Sequence, residues 1–392
     1  MSSLAWIDFD EEERQRAHRI MALFQERESR DELGLGAIRD SIADHLFPGT
    51  STIQTRLRYM LFIPWLFQRL EGRGMPQSQL HTEARGLEIR LVDALKSGGE
   101  SNGIIGRDAG ARLQRLPSSV YWAGLGIWGI RLFPGSIDSL FVSLSGVKRR
   151  RVSLDSEDAA AGPRIAAIWS QSLPQPPDDL LDRAVFRLTA AEAEFIIDRL
   201  VATKPAALLT LLARKGIDVE CDYIWTHPHL ASFPARARRL VGHGEIFSQV
   251  MHGAALLYNL ALSELRDRDD WAADYRENIE TWAAELNRSV VRDWSLEDFW
   301  DAVEHPDHSI RPAAKRFVTR WRQLVIDGTT QIASAPAARQ LVEERERQLK
   351  TSQSRYTNRA VRDRWTGASG VGRFNFRWNQ AKSHLRDLVH AE

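Results

Sequence analysis

A mainly α-helical protein with two domains is the fold class that this sequence predicts. Along much of the 392-residue chain, apolar residues recur at three- and four-residue spacing, which is typical of helices that bury one face. In some segments a Ser or Thr stands three positions before a Glu or Gln, which indicates a capped helix start. Alternation of polar and apolar residues is confined to short runs, so we expect few short strands.

The N-terminal half contains two predicted helix starts. A helix over residues 10–28 opens with acidic side chains, which the positive end of a helix dipole stabilises. Ser51 and Gln54 have the spacing of a capping box and predict a helix over Thr52–Phe62. Pro64 then ends or kinks that helix, because proline has no N–H to donate.

The C-terminal half carries clearer helix signals. Thr189 and Glu192 form a second capping box, and Ser295 is placed to cap a further helix. The sequence Arg214-Lys215-Gly216 is typical of a helix C-terminus, where cations favour the last turn and glycine follows. Two runs are less regular: Leu140–Leu154 fits a hairpin or a helix, and Arg373–Trp378 alternates like a strand.

A helix-turn-helix or winged-helix unit is predicted between Gly86 and Arg131. Its three helices would cover Leu87–Leu95, Gly106–Leu113 and Ser118–Leu125, with the third as the recognition helix. The alternative is a helical core that makes no contact with DNA, since many glycines interrupt the segment.

The domain boundary is predicted from composition. Residues 151–185 are rich in Ser, Asp, Pro and Gly and are therefore interpreted as a linker or long loop. Residues 1–150 would form an N-terminal helical domain, and residues 186–392 a C-terminal helical domain that ends in a basic and aromatic tail.

Composition excludes several classes of protein. A single cysteine rules out a disulfide framework and any four-cysteine metal site. The most apolar stretch, Tyr59–Phe67, is much too short to cross a bilayer, and the N-terminus does not resemble a secretory signal. We therefore expect a soluble cytoplasmic protein without a membrane partner.

The charge is segregated along the chain, although the net charge is only +1. A first basic block, Ser101–Arg151, has eight basic and two acidic residues, and a second basic block, Ser354–Arg386, has eight basic residues and one acidic residue. The rest of the chain is acidic. This segregation fits a surface that binds DNA, and it equally fits docking of basic on acidic faces within the protein or with a partner.

The candidate DNA-binding side chains come from both basic blocks. Phe374, Phe376 and Trp378 would share one face of an extended segment and stack on bases, while arginines follow the phosphates. The alternatives are aromatic side chains in the core and a solvated charge cluster at a domain edge. The candidates are Arg107, Arg112, Arg115, Lys148, Arg149, Arg150, Arg151, Arg362, Arg364, Arg373, Arg377 and Trp378.

A phosphate contact is a further candidate near the predicted helix start at residue 52. Thr50 and Ser51 would supply hydroxyl groups, and Arg56 and Arg58 would follow one turn later. Ordinary helix capping is the alternative.

Catalytic and metal-binding signals are sparse, so we predict no catalytic residue, metal or cofactor. Cys221, His227 and His229 lack the spacing of a zinc site. Asp40 and Asp44 lie one helical turn apart and would suit Mg²⁺ in a nuclease, but such acids beside arginines usually form salt-bridged helix surface.

Several motifs together resemble a bacterial domain-of-unknown-function family, number 6361. The resemblance spans nearly the whole chain and is weak only around residues 148–183. It implies a setting among anti-phage defence genes, beside helicases and nuclease-like proteins, and it supplies no catalytic residue. The motifs are LAWIDFDEEER, RDELGLGAIRD, FPGTSTIQTRLRY, LPSSVYWAGLGIWGIR, HGAALLYNLALSE and RWTGASGVGRFNFRW.

Three hypotheses for function follow. The first is a non-catalytic subunit of an anti-phage defence system, which binds DNA or acts as an adaptor for a helicase or nuclease. The second is a scaffold that binds only proteins, with its basic blocks paired to acids of Glu264–Asp307. The third is a metal-dependent nuclease.

Overall fold

The computed structural model describes residues 31–154 and 167–392 and confirms the mainly helical fold class. Within these ranges the only β-type pairs are two isolated bridges, Arg131 with Trp169 and His305 with His308. The predicted helix over residues 10–28 lies outside the described residues.

The described helices, numbered in chain order, are distributed along both halves of the sequence. The first seven are α1 (Gly36–Leu46), α2 (Tyr59–Gln68), α3 (Gln77–Ser97), α4 (Pro117–Ile127), α5 (Ile137–Leu154), α6 (Ala190–Thr203) and α7 (Leu208–Lys215). The others are α8 (Ala235–Leu265), α9 (Asp269–Glu285), α10 (Arg288–Asp293), α11 (Leu296–Ala302), α12 (Pro312–Gly328), α13 (Pro336–Lys350), α14 (Arg359–Asp363) and α15 (Trp378–Val389). Short 3₁₀ turns cover Gly110–Arg112, Ile224–Thr226, Leu230–Ser232, Thr329–Gln331 and Thr351–Gln353.

The chain divides into two compact units, and neither is one continuous segment. Unit 1 contains residues 31–42 together with Arg239–Phe376. Unit 2 contains the described residues of Ala43–Arg238 together with Arg377–Glu392. The division of the sequence at residues 151–185 stays a prediction. The described part of that segment belongs to unit 2, where Trp169 and Leu173 are buried.

The core of unit 1 is built around α8. Phe247 on this helix packs between Phe299 and Phe374, with ring centroids 5.4 and 5.6 Å apart. Gly253 on the same helix allows the close approach of Trp282, because a Cβ atom at Gly253 would lie 2.3 Å from the indole ring. Tight packing of large aromatic side chains therefore holds this unit together.

The core of unit 2 is built around α2, which is buried along nearly its whole length. The helix begins at Tyr59 and continues past Pro64 to Gln68, so the predicted boundaries Thr52–Phe62 are wrong. The capping box at Ser51 forms only in part: the Ser51 N–H donates to Gln54 Oε1 at 3.2 Å, and the chain then turns irregularly until Tyr59. Burial of an apolar run decided where this helix lies, and the local capping signal did not.

Other local signals are confirmed. Thr189 and Glu192 form both hydrogen bonds of a capping box at the start of α6. Ser295 accepts from the Asp298 N–H at 3.1 Å and caps α11. Gly216 ends α7 with a φ of +59°, the left-handed conformation that glycine adopts without strain. At Leu140–Leu154 the structure contains a helix, not a hairpin.

The predicted helix-turn-helix unit is not confirmed. Only a 3₁₀ turn, Gly110–Arg112, stands where Gly106–Leu113 would have formed the middle helix. Gly103, Gly106 and Gly110 have positive φ angles, which a helix does not contain. The start of α4 is also buried: Ser118 is only 2% exposed and donates from both its N–H and its hydroxyl to Glu88.

Candidate nucleic-acid interface

The first basic block displays three exposed arginines on the loop between α3 and α4. This loop, residues 98–116, is called the arginine loop below, and it carries Arg107, Arg112 and Arg115. Arg107 donates to the Ser101 carbonyl oxygen at 2.6 Å. In residues 31–154 and 167–392, no carboxylate forms an ion pair with any of the three guanidinium groups. They are therefore available to an anion from outside the chain.

The arginine loop is anchored to the core of unit 2 at several points. Ile104 and Leu113 are buried, and the Ile105 N–H donates to the Tyr59 hydroxyl at 3.0 Å. Gly106 has a φ of +85°, and a Cβ atom there would lie 2.5 Å from the Leu113 side chain. The backbone of the loop is thus held in place, while its arginine side chains remain in solvent.

Helix α3 adds exposed cations beside this loop. The 3₁₀ turn that carries Arg112 packs against α3, and Arg90 and Lys96 on this helix are exposed. Sequence analysis did not include these two side chains. The signal that finds them is the apolar stripe formed by Leu87, Leu91 and Leu95: it occupies the buried face of α3, and Arg90 lies outside it.

The other cations of the first basic block have different environments. The Arg131 guanidinium lies 4.6 Å from the centroid of the Trp122 ring and donates to nearby backbone carbonyls, and burial lowers its pKa. Its role is therefore structural. The run Lys148–Arg151 belongs to the last turns of α5, but the side chains of these four residues lie outside the described residues.

Carboxylates neutralise much of the second basic block. Each partner comes from a distant part of the sequence but from the same unit as the cation. The partners are not the acids of Glu264–Asp307 that sequence analysis proposed. The pairs are Arg355 with Glu32 at 2.7 Å, Arg377 with Asp44 at 2.5 Å, Lys382 with Glu220 at 3.2 Å and Arg386 with Asp218 at 3.7 Å.

The three remaining candidates of the second basic block differ in exposure. Arg362 donates to the carbonyl oxygens of residues 355 and 356, at 2.8 and 3.2 Å. Arg364 is exposed and donates to a carbonyl one turn earlier. Arg373 is half-buried near His252, whose pKa is lowered to about 4 by burial and then by this guanidinium. Of the three, Arg364 is the most open to solvent.

Trp378 is a core residue and is not open to bases. It is fully buried, its ring lies 5.7 Å from Phe47, and its indole N–H donates to the Cys221 carbonyl at 3.0 Å. The predicted strand over Arg373–Trp378 is also wrong. Phe376 and Arg377 have φ angles of +52° and +65°, which end any extended conformation just before α15. The alternative interpretation, aromatic side chains in the core, is the one that the structure supports.

The candidate phosphate contact at residues 50–58 is occupied by the protein's own groups. Thr50 is buried and its hydroxyl donates to the Phe47 carbonyl at 2.7 Å. Ser51 is not followed by a helix start, so the free backbone N–H groups expected there are absent from this segment. Two carboxylates take the nearby guanidinium groups: Asp387 pairs with Arg56 at 2.8 Å, and Glu192 pairs with Arg58 at 2.7 Å.

The candidate metal ligands serve other purposes. Within the described residues, no group of three or more His, Cys, Asp or Glu side chains is placed to hold a metal ion. His227 packs against Trp378, and burial lowers its pKa to about 4. Asp40 and Asp44 pair with Arg39 and Arg377, so both carboxylates take part in ion pairs. None of the helices in the described ranges is long and apolar enough to span a membrane.

Comparisons with known proteins identify a family but no relative of known activity. No curated protein and no solved structure matches the chain. A family model described as "family of unknown function (DUF6361)" matches residues 1–392 and confirms the resemblance that the sequence motifs indicated. The chain therefore belongs to the DUF6361 family.

Proposed function

We propose that this protein binds nucleic acid through the arginine loop and α3, as a non-catalytic subunit of a bacterial anti-phage defence system. One observation carries the proposal: Arg107, Arg112 and Arg115 are exposed on an anchored loop and have no carboxylate partner among the described residues. The setting in anti-phage defence rests on the sequence resemblance alone.

Electrostatic exchange distinguishes the arginine loop from the second basic block. A phosphate that binds Arg112 or Arg115 releases counterions and breaks no ion pair within the chain. A phosphate that binds Arg355 or Arg377 must first displace a carboxylate already held at 2.7 or 2.5 Å. The free-energy gain from binding phosphates is therefore greater at the arginine loop.

The salt dependence of DNA binding tests this proposal. In the variant Arg107→Gln/Arg112→Gln/Arg115→Gln, the slope of log affinity against log salt should become shallower by roughly 0.9 for each duplex phosphate that the variant no longer neutralises. Binding to labelled duplex and single-stranded DNA is measured by fluorescence anisotropy at several salt concentrations. A role for the side chains of Lys148–Arg151, which lie outside the described residues, stays a prediction.

A matched control removes three other exposed charges from unit 2. The variant Arg183→Gln/Arg214→Gln/Lys215→Gln changes the net charge equally, but at positions away from the arginine loop in sequence. It should leave the slope unchanged. Equal slopes in both variants would reject the arginine loop as the binding surface. Failure of the unmodified protein to bind DNA at any salt concentration would favour the scaffold hypothesis.

An adaptor role is a second proposal and rests on the acidic surface of α9. This helix lies in unit 1 and exposes six carboxylates, with Arg276 as its one cation. Arg276 already pairs with Glu264. A surface of this charge suits a basic partner, such as a helicase or nuclease from the same defence system. The exposed acids are Asp269, Asp270, Asp274, Glu277, Glu280 and Glu285.

A further inference from the structure

A cavity of about 410 Å³ lies beside the arginine loop within unit 2. This volume is within the range of about 300 to 1,000 Å³ that is typical of small-molecule sites. Phe67, Trp122 and Phe141 contribute aromatic walls, and the Phe67 ring lies 5.8 Å from Trp122 and 5.6 Å from Phe141. The cavity therefore offers apolar surface of the kind that flat rings contact.

Hydrogen-bonding groups stand at the opening of this cavity. His81 and Asp138 face each other at 3.3 Å, and their side chains are 41% and 52% exposed. Gln114 and Ser119 are also exposed and line the cavity. The opening thus presents a carboxylate, an amide and a hydroxyl to a ligand.

The arginine loop forms part of the rim. Gln114 and Leu116 both line the cavity, so the backbone between them runs along its edge, and Arg115 stands there exposed to solvent. Arg112 precedes it by one turn of chain. Phosphate-binding cations and an aromatic cavity therefore adjoin within five residues of sequence.

We propose that this cavity holds one unstacked guanine base of a nucleic-acid strand whose phosphates lie on Arg112 and Arg115. The inference rests on the proposed function and deepens it. Proteins that read single bases place them against aromatic side chains and bond to their Watson–Crick edges. Guanine presents two adjacent N–H donors on that edge, and the two oxygens of Asp138 match them. Thymine presents one donor between two acceptors and matches a carboxylate poorly.

Glu88 has a supporting role beneath the cavity. It is fully buried and accepts from the Ser118 N–H and hydroxyl, each at 2.7 Å. These bonds fix the first turn of α4, which carries Ser119 and Trp122 into the cavity wall. A base does not reach this carboxylate, so Asp138 is the acidic contact.

The test compares an oligo-dT strand with the same strand carrying one central dG. For the unmodified protein, the single guanine should tighten binding by roughly 5- to 100-fold, as a good bidentate base contact does. In Asp138→Asn, which replaces an acceptor oxygen by a donor, the preference should disappear while the salt slope remains. In Arg112→Gln/Arg115→Gln, both strands should bind more weakly with the guanine preference retained.

A second variant guards against effects on folding. Ser119→Phe changes an exposed residue in the first turn of α4 and narrows the opening without removing a core side chain. It should also abolish the guanine preference. Equal binding of the two strands by the unmodified protein, with a normal salt slope, overturns the cavity proposal and leaves the proposed function intact. A preference that survives both cavity variants also overturns it. Absence of binding to both strands overturns the proposed function itself.

Discussion

The substitution Glu88→Gln should remove a pH dependence from the stability of unit 2. Burial raises the pKa of the Glu88 carboxyl from 4.5 to about 7, and its two hydrogen bonds to Ser118 oppose that rise only in part. A glutamine has nearly the same shape. Its amide oxygen accepts from the Ser118 N–H, and its amide nitrogen donates to the Ser118 hydroxyl. The variant therefore keeps these hydrogen bonds and no longer titrates.

The expected magnitude follows from the two pKa values. Between pH 4.5 and about 7 the folded protein holds a proton on Glu88 that the unfolded chain releases. The free energy of unfolding therefore falls as pH rises through this interval. The difference between a pKa of 4.5 and one of about 7 corresponds to about 3 kcal/mol of stability, fully lost above pH 7. Relative to wild type, Glu88→Gln should gain this amount between pH 4.5 and pH 8.

Urea unfolding at half-unit pH steps measures this difference. Other titrating groups act alike in both proteins, so the difference between the two free energies isolates Glu88. Asp93→Asn is the control, because it removes an exposed carboxyl from the same helix and should give a nearly constant difference. If the difference for Glu88→Gln is equally constant across this range, the Glu88 carboxyl titrates in the folded protein as it does in the unfolded chain, and the argument from burial is wrong.

Two further predictions concern ion pairs and the acidic helix. Arg58→Ala should lower the free energy of unfolding by about 3 to 5 kcal/mol, since it leaves the buried Glu192 carboxylate without its guanidinium partner. The exposed pair made by Arg187 is the comparison, and Arg187→Ala should cost less than about 1 kcal/mol in the same urea experiment. Glu277→Lys/Glu280→Lys should prevent co-purification with the neighbouring helicase or nuclease while the salt slope of DNA binding stays unchanged. Retained co-purification would exclude α9 as the docking surface.

Local structure was predictable where a few neighbouring residues decide it. The capping box at Thr189 and the helix-ending glycine at Gly216 formed as expected, because their partners lie within one turn of the chain. The helix start at Ser51 did not form. There, burial of the run Tyr59–Phe67 fixed the helix and outweighed one local hydrogen bond.

The candidate interface was only partly predictable, because equal sequence signals led to different environments. Arg56 and Arg112 both follow polar, glycine-containing segments of basic chain. Arg56 meets Asp387, which lies 331 residues further along the chain, whereas Arg112 meets no carboxylate among the described residues. No local pattern encodes such a partner. The cavity beside the arginine loop was missed for the same reason, since its walls come from four different helices.

Composition and periodicity alone established that the chain is helical, that its cations are segregated, and that it resembles its family. These properties depend on residues close together in sequence, where spacing determines which face is apolar. Tertiary packing alone decided which cations remain exposed and which side chains surround a cavity. The physical reason is that ion pairing and burial depend on distances of a few ångströms in space, and the groups that meet at those distances are often hundreds of residues apart along the chain.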